Sequence, residues 1–346
     1  MDDVLFEQRG RAGLITLNRP KALNALTLDM VHAMRAKLED WRSDEAVELV
    51  VVRGAGERAF CAGGDIRALH DSGKAGTPYV IDFYAHEYRL NRMIKRYPKP
   101  YIALINGIVM GGGVGVSVHG QYRIAGEGCV FAMPETGIGL FPDVGGTYFL
   151  PRCPGETGLY LGLTGARLDV TDAKFTGVAT HVVPAAQHEA LIAALAEDAK
   201  PLERTLAQFA VNPDNKSKIA GLQPLIDRHF AHASVEDIFA SLEADASLFA
   251  AETLKSLRTK SPTSLKVTYR QIREGKKLGF EDCMRLEFRL TNRFMRGHDF
   301  YEGVRAVILE KDNAPKWKPP SLQAVTANDV DGYFAALPDG DLALDV

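Results

Sequence analysis

Short runs of apolar, often β-branched, residues recur through the first half of the chain, and each run has the length of a strand. Turn-forming or polar residues bound most of them, which is typical of strands inside a sheet. The predicted strands are residues 14–18, 49–53, 101–105, 122–125 and 181–183.

Between these runs, apolar residues recur at the three- and four-residue spacing of an amphipathic helix. This spacing predicts helices at 27–42, 80–95 and 112–120, with Thr27 or Asp29 as the N-cap of the first. Alternating strands and helices indicate an α/β architecture.

From about Leu202 onward strand signals fade and helical spacing dominates, as in Cys283, Met284, Phe288 and Leu290. The second half is therefore predicted to be mostly helical. We place a boundary near residue 200, between a core at 1–200 and a helical C-terminal region at 201–346.

Composition excludes several classes of protein. The net charge is −3 with 25% charged residues, and no basic stripe of the kind that binds nucleic acid is present. The N-terminal residues do not have the pattern of a targeting segment, so none is expected. No stretch reaches the ~20 consecutive apolar residues that a membrane span needs. The four cysteines lie far apart without C-x-x-C spacing, which predicts neither a metal site nor disulfides and favours the reducing cytoplasm.

Two glycine segments, each after a strand or apolar run, are the first candidates for chemistry. Gly63 and Gly64 lie in FCAGGDI, and Gly111, Gly112 and Gly113 open the predicted helix at 112–120. Either segment by itself is explained by a tight turn or by close packing. Together they can supply the two backbone N–H donors of an oxyanion hole.

Two carboxylates follow on a glycine- and proline-rich loop. Glu135 lies in FAMPETG, and Asp143 lies in LFPDVGG. The plain interpretations are a surface carboxylate for Glu135 and a helix N-cap for Asp143. Acids beside a candidate oxyanion hole can instead move protons or activate water.

Familiar alternatives do not match. No phosphate-binding G-x-x-x-x-G-K-[ST] and no strand-to-helix G-x-G-x-x-G occurs. The segment around Ser117 approaches a nucleophile elbow but ends in His119, and residues two apart on a helix do not face each other.

Four segments together resemble the crotonase, or enoyl-CoA hydratase/isomerase, superfamily. They read NRPKALNAL, AFCAGGDI, INGIVMGGGVG and MPETGIGLFPDVGG. Within it, SPTSLKVTYRQ, MRGHDFYEGVRAVILEKD and PKWKP in the second half resemble the 3-hydroxyisobutyryl-CoA hydrolase subfamily. The resemblance covers nearly the whole chain.

The resemblance implies a spiral of ββα turns that binds acyl-CoA and holds the thioester carbonyl on the amides of Gly64 and Gly112. It places coenzyme A contacts at Lys21, Ala22, Leu23, Ala62, Asp65 and Ile66. For Lys21, pairing with a phosphate of coenzyme A and simple solvation are equally plain interpretations. Coenzyme A enters as part of the substrate, so no cofactor and no metal are expected.

One departure from the hydratase pattern bears on the reaction. Hydratases of the superfamily carry a glutamate soon after the glycine run, where this chain has Gly115; Glu135 remains, and Asp143 joins it as in the hydrolases. The resemblance thus implies thioester hydrolysis in valine breakdown, with an enoyl-CoA hydratase/isomerase and a non-catalytic CoA-binding protein as alternatives.

The helical second half has two interpretations. It either covers the acyl pocket or forms contacts between copies of the chain in a homo-oligomer. Arg296, His298 and Asp299 in MRGHDF are the polar residues of this region expected to come nearest to a site, and a buried structural network is the favoured role for them.

Overall fold

The computed structural model describes residues 2–197, 201–213 and 215–344. Its strands are β1 (Val4–Arg9), β2 (Ala12–Leu17), β3 (Leu49–Gly54), β4 (Ala59–Cys61), β5 (Tyr101–Ile105), β6 (Ile108–Met110), β7 (Tyr122–Ala125), β8 (Val130–Ala132) and β9 (His181–Val182). Its α-helices are α1 (Leu28–Ser43), α2 (Ile66–Ala75), α3 (Tyr79–Lys95), α4 (Gly112–Gly115), α5 (Gly146–Phe149), α6 (Thr157–Thr164), α7 (Val170–Phe175), α8 (His188–Glu197), α9 (Leu202–Phe209), α10 (Lys218–Phe230), α11 (Val235–Glu243), α12 (Leu248–Leu257), α13 (Pro262–Gly275), α14 (Phe280–Phe294), α15 (Asp299–Val304) and α16 (Ala327–Phe334).

The described chain divides into two compact units, each built from separate segments. The first unit takes the described residues of Met1–Gly64, Arg89–Phe131 and Arg167–Ala220. The second takes those of Asp65–Tyr88, Ala132–Ala166 and Gly221–Val346.

A sheet with the strand order β1-β2-β3-β5-β7-β9 forms the centre of the first unit. The edge strand β1 runs antiparallel to β2, and the pairs from β2 onward are parallel. The runs LVVV in β3 and YIALI in β5 are buried, as expected for strands covered on both faces. Their side chains pack with those of α8 and α9 in one apolar core, which includes Val51, Leu104 and Leu191.

The α/β prediction is confirmed, and so are the five strands predicted from the sequence, within two residues at their ends. The strands that the sequence did not predict are β1, β4, β6 and β8. Three of these have only three residues each, which is too short for alternation to stand out. These three strands, β4, β6 and β8, form the second, smaller sheet.

The helices at 27–42 and 80–95 are confirmed as α1 and α3, and Thr27 is the N-cap of α1, accepting from Met30 N at 3.2 Å. The helix predicted at 112–120 is wrong in its length, because α4 ends at Gly115. Glycine and valine alternate there and are poor helix formers, and the Ser117 hydroxyl donates to Gly113 O at 2.7 Å.

The second unit is helical, as predicted for the second half of the chain. Helix α13 packs against α5 and α6, α14 packs against α5 and α16, and α15 packs against α2. Ser261 caps α13 by accepting from Ser264 N at 3.1 Å. Among the described residues, no helix combines the length and apolarity needed to cross a membrane.

Asn24 holds the turn that precedes α1 in place. Its side chain is fully buried, Oδ1 accepts from Arg19 N at 3.0 Å, and Nδ2 donates to Ala55 O and Ala59 O at 2.9 Å each. Its φ of +57° is a conformation that asparagine tolerates better than most residues.

We expect Asn24→Ala to lower the free energy of unfolding by roughly 2–3 kcal/mol, because it leaves buried carbonyls without donors in a left-handed turn. Urea denaturation measures the change. Asn328→Ala, at an exposed position of α16, is the control and should change stability by less than about 0.5 kcal/mol. Equal midpoints for the two variants would contradict this role of Asn24.

Candidate active site

Two glycine segments of the first unit lie side by side because the strands that lead into them are parallel neighbours. Strand β4 pairs with β6, so Gly63 and Gly111 both follow the carboxyl ends of adjacent strands. A Cβ built on Gly63 would lie 3.8 Å from Gly112 N. The positive φ values of Gly63 (+124°) and Gly111 (+46°) explain why glycine is needed at both turns.

The amides of Gly64 and Gly112 are available as donors. Leu26 N donates to Gly63 O at 2.8 Å and Leu26 forms a parallel bridge with Gly64, which directs the Gly64 N–H away from Leu26. Gly112 is the first residue of α4, so its N–H has no partner within the helix. Within the described residues, neither amide donates to a carbonyl or to a side chain. Because α4 is a single turn, this donor pair owes more to the strand ends than to a helix dipole.

The predicted coenzyme A contacts of the first unit lie together. Lys21 and Ala22 are exposed in the 3₁₀ turn Pro20–Ala22, and Leu23 follows with a φ of +52°. Ala62 N donates to Leu23 O at 3.0 Å, which joins this turn to the segment after β4.

The two remaining predicted contacts, Asp65 and Ile66, belong to the second unit. Asp65 is the N-cap of α2 and accepts from Ala68 N at 3.4 Å, and Ile66 is the first residue of that helix. Asp65 therefore has a structural role whether or not it meets a ligand.

Glu135 and Asp143 lie in the second unit, and the plain interpretations of both are wrong. Glu135 is 5% exposed and Asp143 is 4% exposed, so both are buried. Glu135 opens the 3₁₀ helix Glu135–Ile138 and is no surface carboxylate. The N-cap of α5 is Gly145, so Asp143 is not the cap.

The Asp143 carboxylate is fixed by a phenol. Tyr88, on α3, donates to Asp143 Oδ2 at 2.9 Å and shares a 2.7 Å hydrogen bond with Thr291 Oγ1 on α14. The turn after Asp143 is strained, because Val144 has a φ of +48° and Gly145 a φ of +88°. Such strain persists only where neighbouring groups hold the backbone.

Glu135 keeps one oxygen unused. Among the described residues, nothing hydrogen bonds to its Oε2. The segment that carries it is nevertheless well anchored, since Thr136 Oγ1 donates to Leu163 O at 3.1 Å and Leu140 N donates to Glu135 O at 3.0 Å. The backbone that carries Glu135 is therefore fixed, while the Oε2 atom of its carboxyl group has no hydrogen-bond partner among the described residues.

The sequence did not single out Glu87, Tyr84 or Tyr88 on α3, or Glu287 on α14. Glu87 and Glu287 are 2% and 0% exposed. A signal was present, because Glu87 and Asn91 interrupt the otherwise apolar and aromatic stripe of α3, and a carboxyl at a core position needs a reason. We refer to Glu87, Glu135, Asp143 and Glu287 as the carboxyl cluster.

Burial dominates the electrostatics of the carboxyl cluster. Burial first, and then the charge of Asp143, raise the pKa of Glu135 well above its usual 4.5. Burial raises the pKa of Asp143 to about 7, although the hydrogen bond from Tyr88 lowers it. Burial, followed by the charges of Asp143 and Glu287, raises the pKa of Glu87. Since like charges oppose each other here, ionisation of one carboxyl group raises the pKa of its neighbours.

The three polar residues singled out in the C-terminal motif differ in burial. Arg296 and His298 are exposed, and Asp299 is buried, accepting from Ser261 Oγ at 2.6 Å and from Lys318 N at 2.8 Å. The structural network expected for Asp299 is therefore present.

The family model described as enoyl-CoA hydratase/isomerase matches residues 12–334. The chain belongs to this family. Its α/β crotonase fold, with two sheets and a helical C-terminal region, agrees with the family resemblance of its motifs.

Curated relatives are similar over almost their whole length. The mitochondrial 3-hydroxyisobutyryl-CoA hydrolase of Danio rerio is 50% identical, covering 99% of this chain and 92% of the relative. That of Homo sapiens is 46% identical, covering 99% of this chain and 90% of the relative.

Two solved structures match closely. A carnitinyl-CoA dehydratase from Mycobacterium thermoresistibile has a TM-score of 0.95 and 42% identity, covering 100% of this chain and 99% of the other. An enoyl-CoA hydratase from Rhodobacter sphaeroides has a TM-score of 0.92 and 44% identity, covering 99% of this chain and 100% of the other.

We expect Tyr88→Phe to raise the pKa of Asp143 further, because the phenol hydrogen bond that favours its ionised form is lost. Carboxyl ¹³C NMR on protein labelled at aspartate measures the midpoint, with the signal assigned through Asp143→Asn. Tyr84→Phe is the control, since the Tyr84 hydroxyl has no hydrogen-bond partner among the described residues. An unmoved Asp143 midpoint in Tyr88→Phe would show that the phenol does not support the ionised form.

Proposed function

We propose that this protein hydrolyses the thioester of 3-hydroxyisobutyryl-CoA to 3-hydroxyisobutyrate and free coenzyme A. The observation that carries the proposal is the identity of 46–50% with 3-hydroxyisobutyryl-CoA hydrolases over nearly the full length of both chains. Such a protein would serve valine breakdown, as the sequence resemblance implies.

The amides of Gly64 and Gly112 are the proposed oxyanion hole. They would polarise the thioester carbonyl and stabilise the tetrahedral oxyanion, a role in which loss of one donor typically costs ~10²–10³ in rate. Their support is the pairing of β4 with β6, which brings the two glycine segments together within the first unit.

Glu135 is the proposed group that starts the chemistry. As a general base it would take a proton from water, whose oxygen then adds to the carbonyl carbon; collapse of the intermediate expels the coenzyme A thiolate, which takes up a proton. As a nucleophile it would instead expel the thiolate directly, forming an anhydride that water then hydrolyses. Its burial and its vacant Oε2 suit both routes.

Asp143 is proposed to orient the 3-hydroxyl of the substrate or to assist proton transfer. The Tyr88 hydrogen bond fixes its Oδ2 and supports either role. Glu87, whose Oε1 has no partner among the described residues, is proposed as a further polar group toward the same hydroxyl.

Lys21, Ala22, Leu23, Ala62, Asp65 and Ile66 remain the proposed coenzyme A contacts. Residues 1–200 are proposed as the acyl-CoA-binding core, with 201–346 as its helical complement. A homo-oligomer and a cytoplasmic location also remain proposals. The curated relatives are named as mitochondrial, and the described cysteines are buried and form no disulfides.

Hydration or dehydration of an enoyl-CoA is the second candidate. The two closely matching solved structures are of proteins named as a carnitinyl-CoA dehydratase and an enoyl-CoA hydratase. The resemblance disfavours it, since Gly115 occupies the position of a hydratase glutamate. Incubation with crotonyl-CoA, followed at the absorbance of its conjugated double bond, distinguishes the two. Loss of that absorbance without thiol release would favour the second candidate.

We expect Glu135→Gln to reduce turnover of 3-hydroxyisobutyryl-CoA by about 10²–10⁴-fold, because an amide neither accepts a proton nor attacks a carbonyl. Thiol release measured with a disulfide reagent reports turnover, and calorimetry with free coenzyme A should give unchanged binding. Glu45→Gln, an exposed carboxylate changed in the same way, should retain wild-type activity. Full activity in Glu135→Gln would remove Glu135 from the mechanism.

We expect kcat/KM to fall with decreasing pH at a midpoint clearly above the ordinary glutamate value of 4.5. Glu135 works only when ionised, and burial with the nearby Asp143 charge raises its pKa, so protonation inactivates it early. A dithiodipyridine assay, which works in acid, measures the profile. Samples returned to pH 7 should regain activity, and a flat profile down to pH 5 would contradict the raised pKa.

A further inference from the structure

The turn that carries Asp143 is clamped by a carboxylate from the C-terminal helical region. Glu287, on α14, is fully buried. Its Oε2 accepts from Gly145 N at 2.8 Å and its Oε1 from Thr147 N at 2.9 Å. Both carboxylate oxygens are thus committed to the backbone that follows Asp143.

This backbone needs an external clamp. Val144 and Gly145 both have positive φ, and the turn closes through Gly146 N donating to Asp143 O at 2.7 Å. A left-handed valine relaxes toward another conformation when its surroundings allow it. Because Asp143 directly precedes this valine, relaxation would displace its carboxylate.

A second side chain holds the same turn from helix α13. Gln271 is fully buried, and its Nε2 donates to Pro142 O at 2.6 Å and to Thr147 Oγ1 at 2.7 Å. Asp143 is therefore bracketed by an anchor on the residue before it and by anchors on two residues after it. Of the two side chains, only that of Glu287 can ionise.

The charge of Glu287 also acts on its neighbours. Among the described residues, the titratable groups that face Glu287 or Asp143 are acids, phenols and one thiol: Tyr84, Glu87 and Tyr88 from α3, Glu135 and Asp143 from their loops, and Cys283 from α14 itself. With no cation in that set, each negative charge opposes the ionisation of the others. Burial raises the pKa of Glu287 to about 8, and the hydrogen bonds from Thr147 and Gly145 offset this effect only in part.

We propose that Glu287 is a positioning residue for Asp143: it holds the strained turn that follows Asp143 through two backbone amides. This role rests on the proposed hydrolase function. It gives the helical C-terminal region a part in catalysis through α14.

Two substitutions test the clamp in different ways. Glu287→Gln retains the length of the side chain but removes the charge, and replaces one acceptor by a donor. Glu287→Asp retains the charge but withdraws the oxygens from the amides. Asp282→Asn is the control, an exposed carboxylate on the same helix changed in the same way. The measurements are kcat and KM for 3-hydroxyisobutyryl-CoA, the ¹³C titration midpoint of Asp143, and the thermal midpoint.

For Glu287→Gln we expect kcat to fall about tenfold or more, with KM changed less than about threefold, because a displaced catalytic group costs turnover more than binding. The Asp143 midpoint should move to higher pH, as in Tyr88→Phe, because a displaced carboxylate loses the hydrogen bond from Tyr88 that favours its ionised form. Glu287→Asp should lose a similar part of kcat and shift the Asp143 midpoint in the same direction. Asp282→Asn should match the wild type.

A folded Glu287→Gln protein with wild-type kcat, or with an unmoved Asp143 midpoint, would overturn the proposal. If that variant does not fold, Glu287→Asp decides alone, and wild-type kcat in it would overturn the proposal. A wild-type protein that releases no thiol would refute the hydrolase function instead. The change in the Asp143 midpoint between wild type and the Glu287 variants would then be the test of the positioning role.

Discussion

Several carboxyl groups are buried with no compensating cation among the described residues, and the second unit depends on this constraint. Water would ionise Glu87, Asp143 and Glu287 readily, whereas the protein interior penalises every charge among them. Two means offset this penalty. Two backbone amides donate to Glu287 and a phenol donates to Asp143, and these hydrogen bonds favour the ionised forms. Burial outweighs them, so the pKa values of these acids lie above those of solvated carboxylates.

The oxyanion hole proposed for the first unit depends on a different kind of group. Its donors would be main-chain amides, so no side chain needs to be desolvated to supply them. Parallel pairing of two three-residue strands sets the spacing of these amides, and left-handed glycines turn the chain after each strand. Donors fixed by sheet geometry need no reorganisation when an oxyanion forms, which is why backbone amides recur in this role.

Much of this arrangement could be predicted from the sequence, for physical reasons that differ between residues. Buried parallel strands such as β3 and β5 have an apolar composition that no surface element shares, and Thr27 has the chemistry of a cap. The glycine pairs and the acids Glu135 and Asp143 stood out because their residue types are costly where they occur. Strand β4 was harder to predict because three residues are too few to show an alternating pattern. The length of α4 was harder to predict because local hydrogen bonds end this helix early. Glu287 and Gln271 could not be found from the sequence, because their significance lies in contacts with a turn more than a hundred residues away.

The interleaving of the two units has a consequence for how the chain acquires its structure. Each unit collects three separate segments, so no single cleavage of the chain yields either of them complete. A nascent chain that has just emerged up to Gly64 must wait for segments far downstream before its part of the sheet is finished. Contacts between such distant segments delay folding and favour a cooperative, late completion. Truncation and domain-swapping experiments should therefore treat the chain as one folding unit, even though its contacts divide into two.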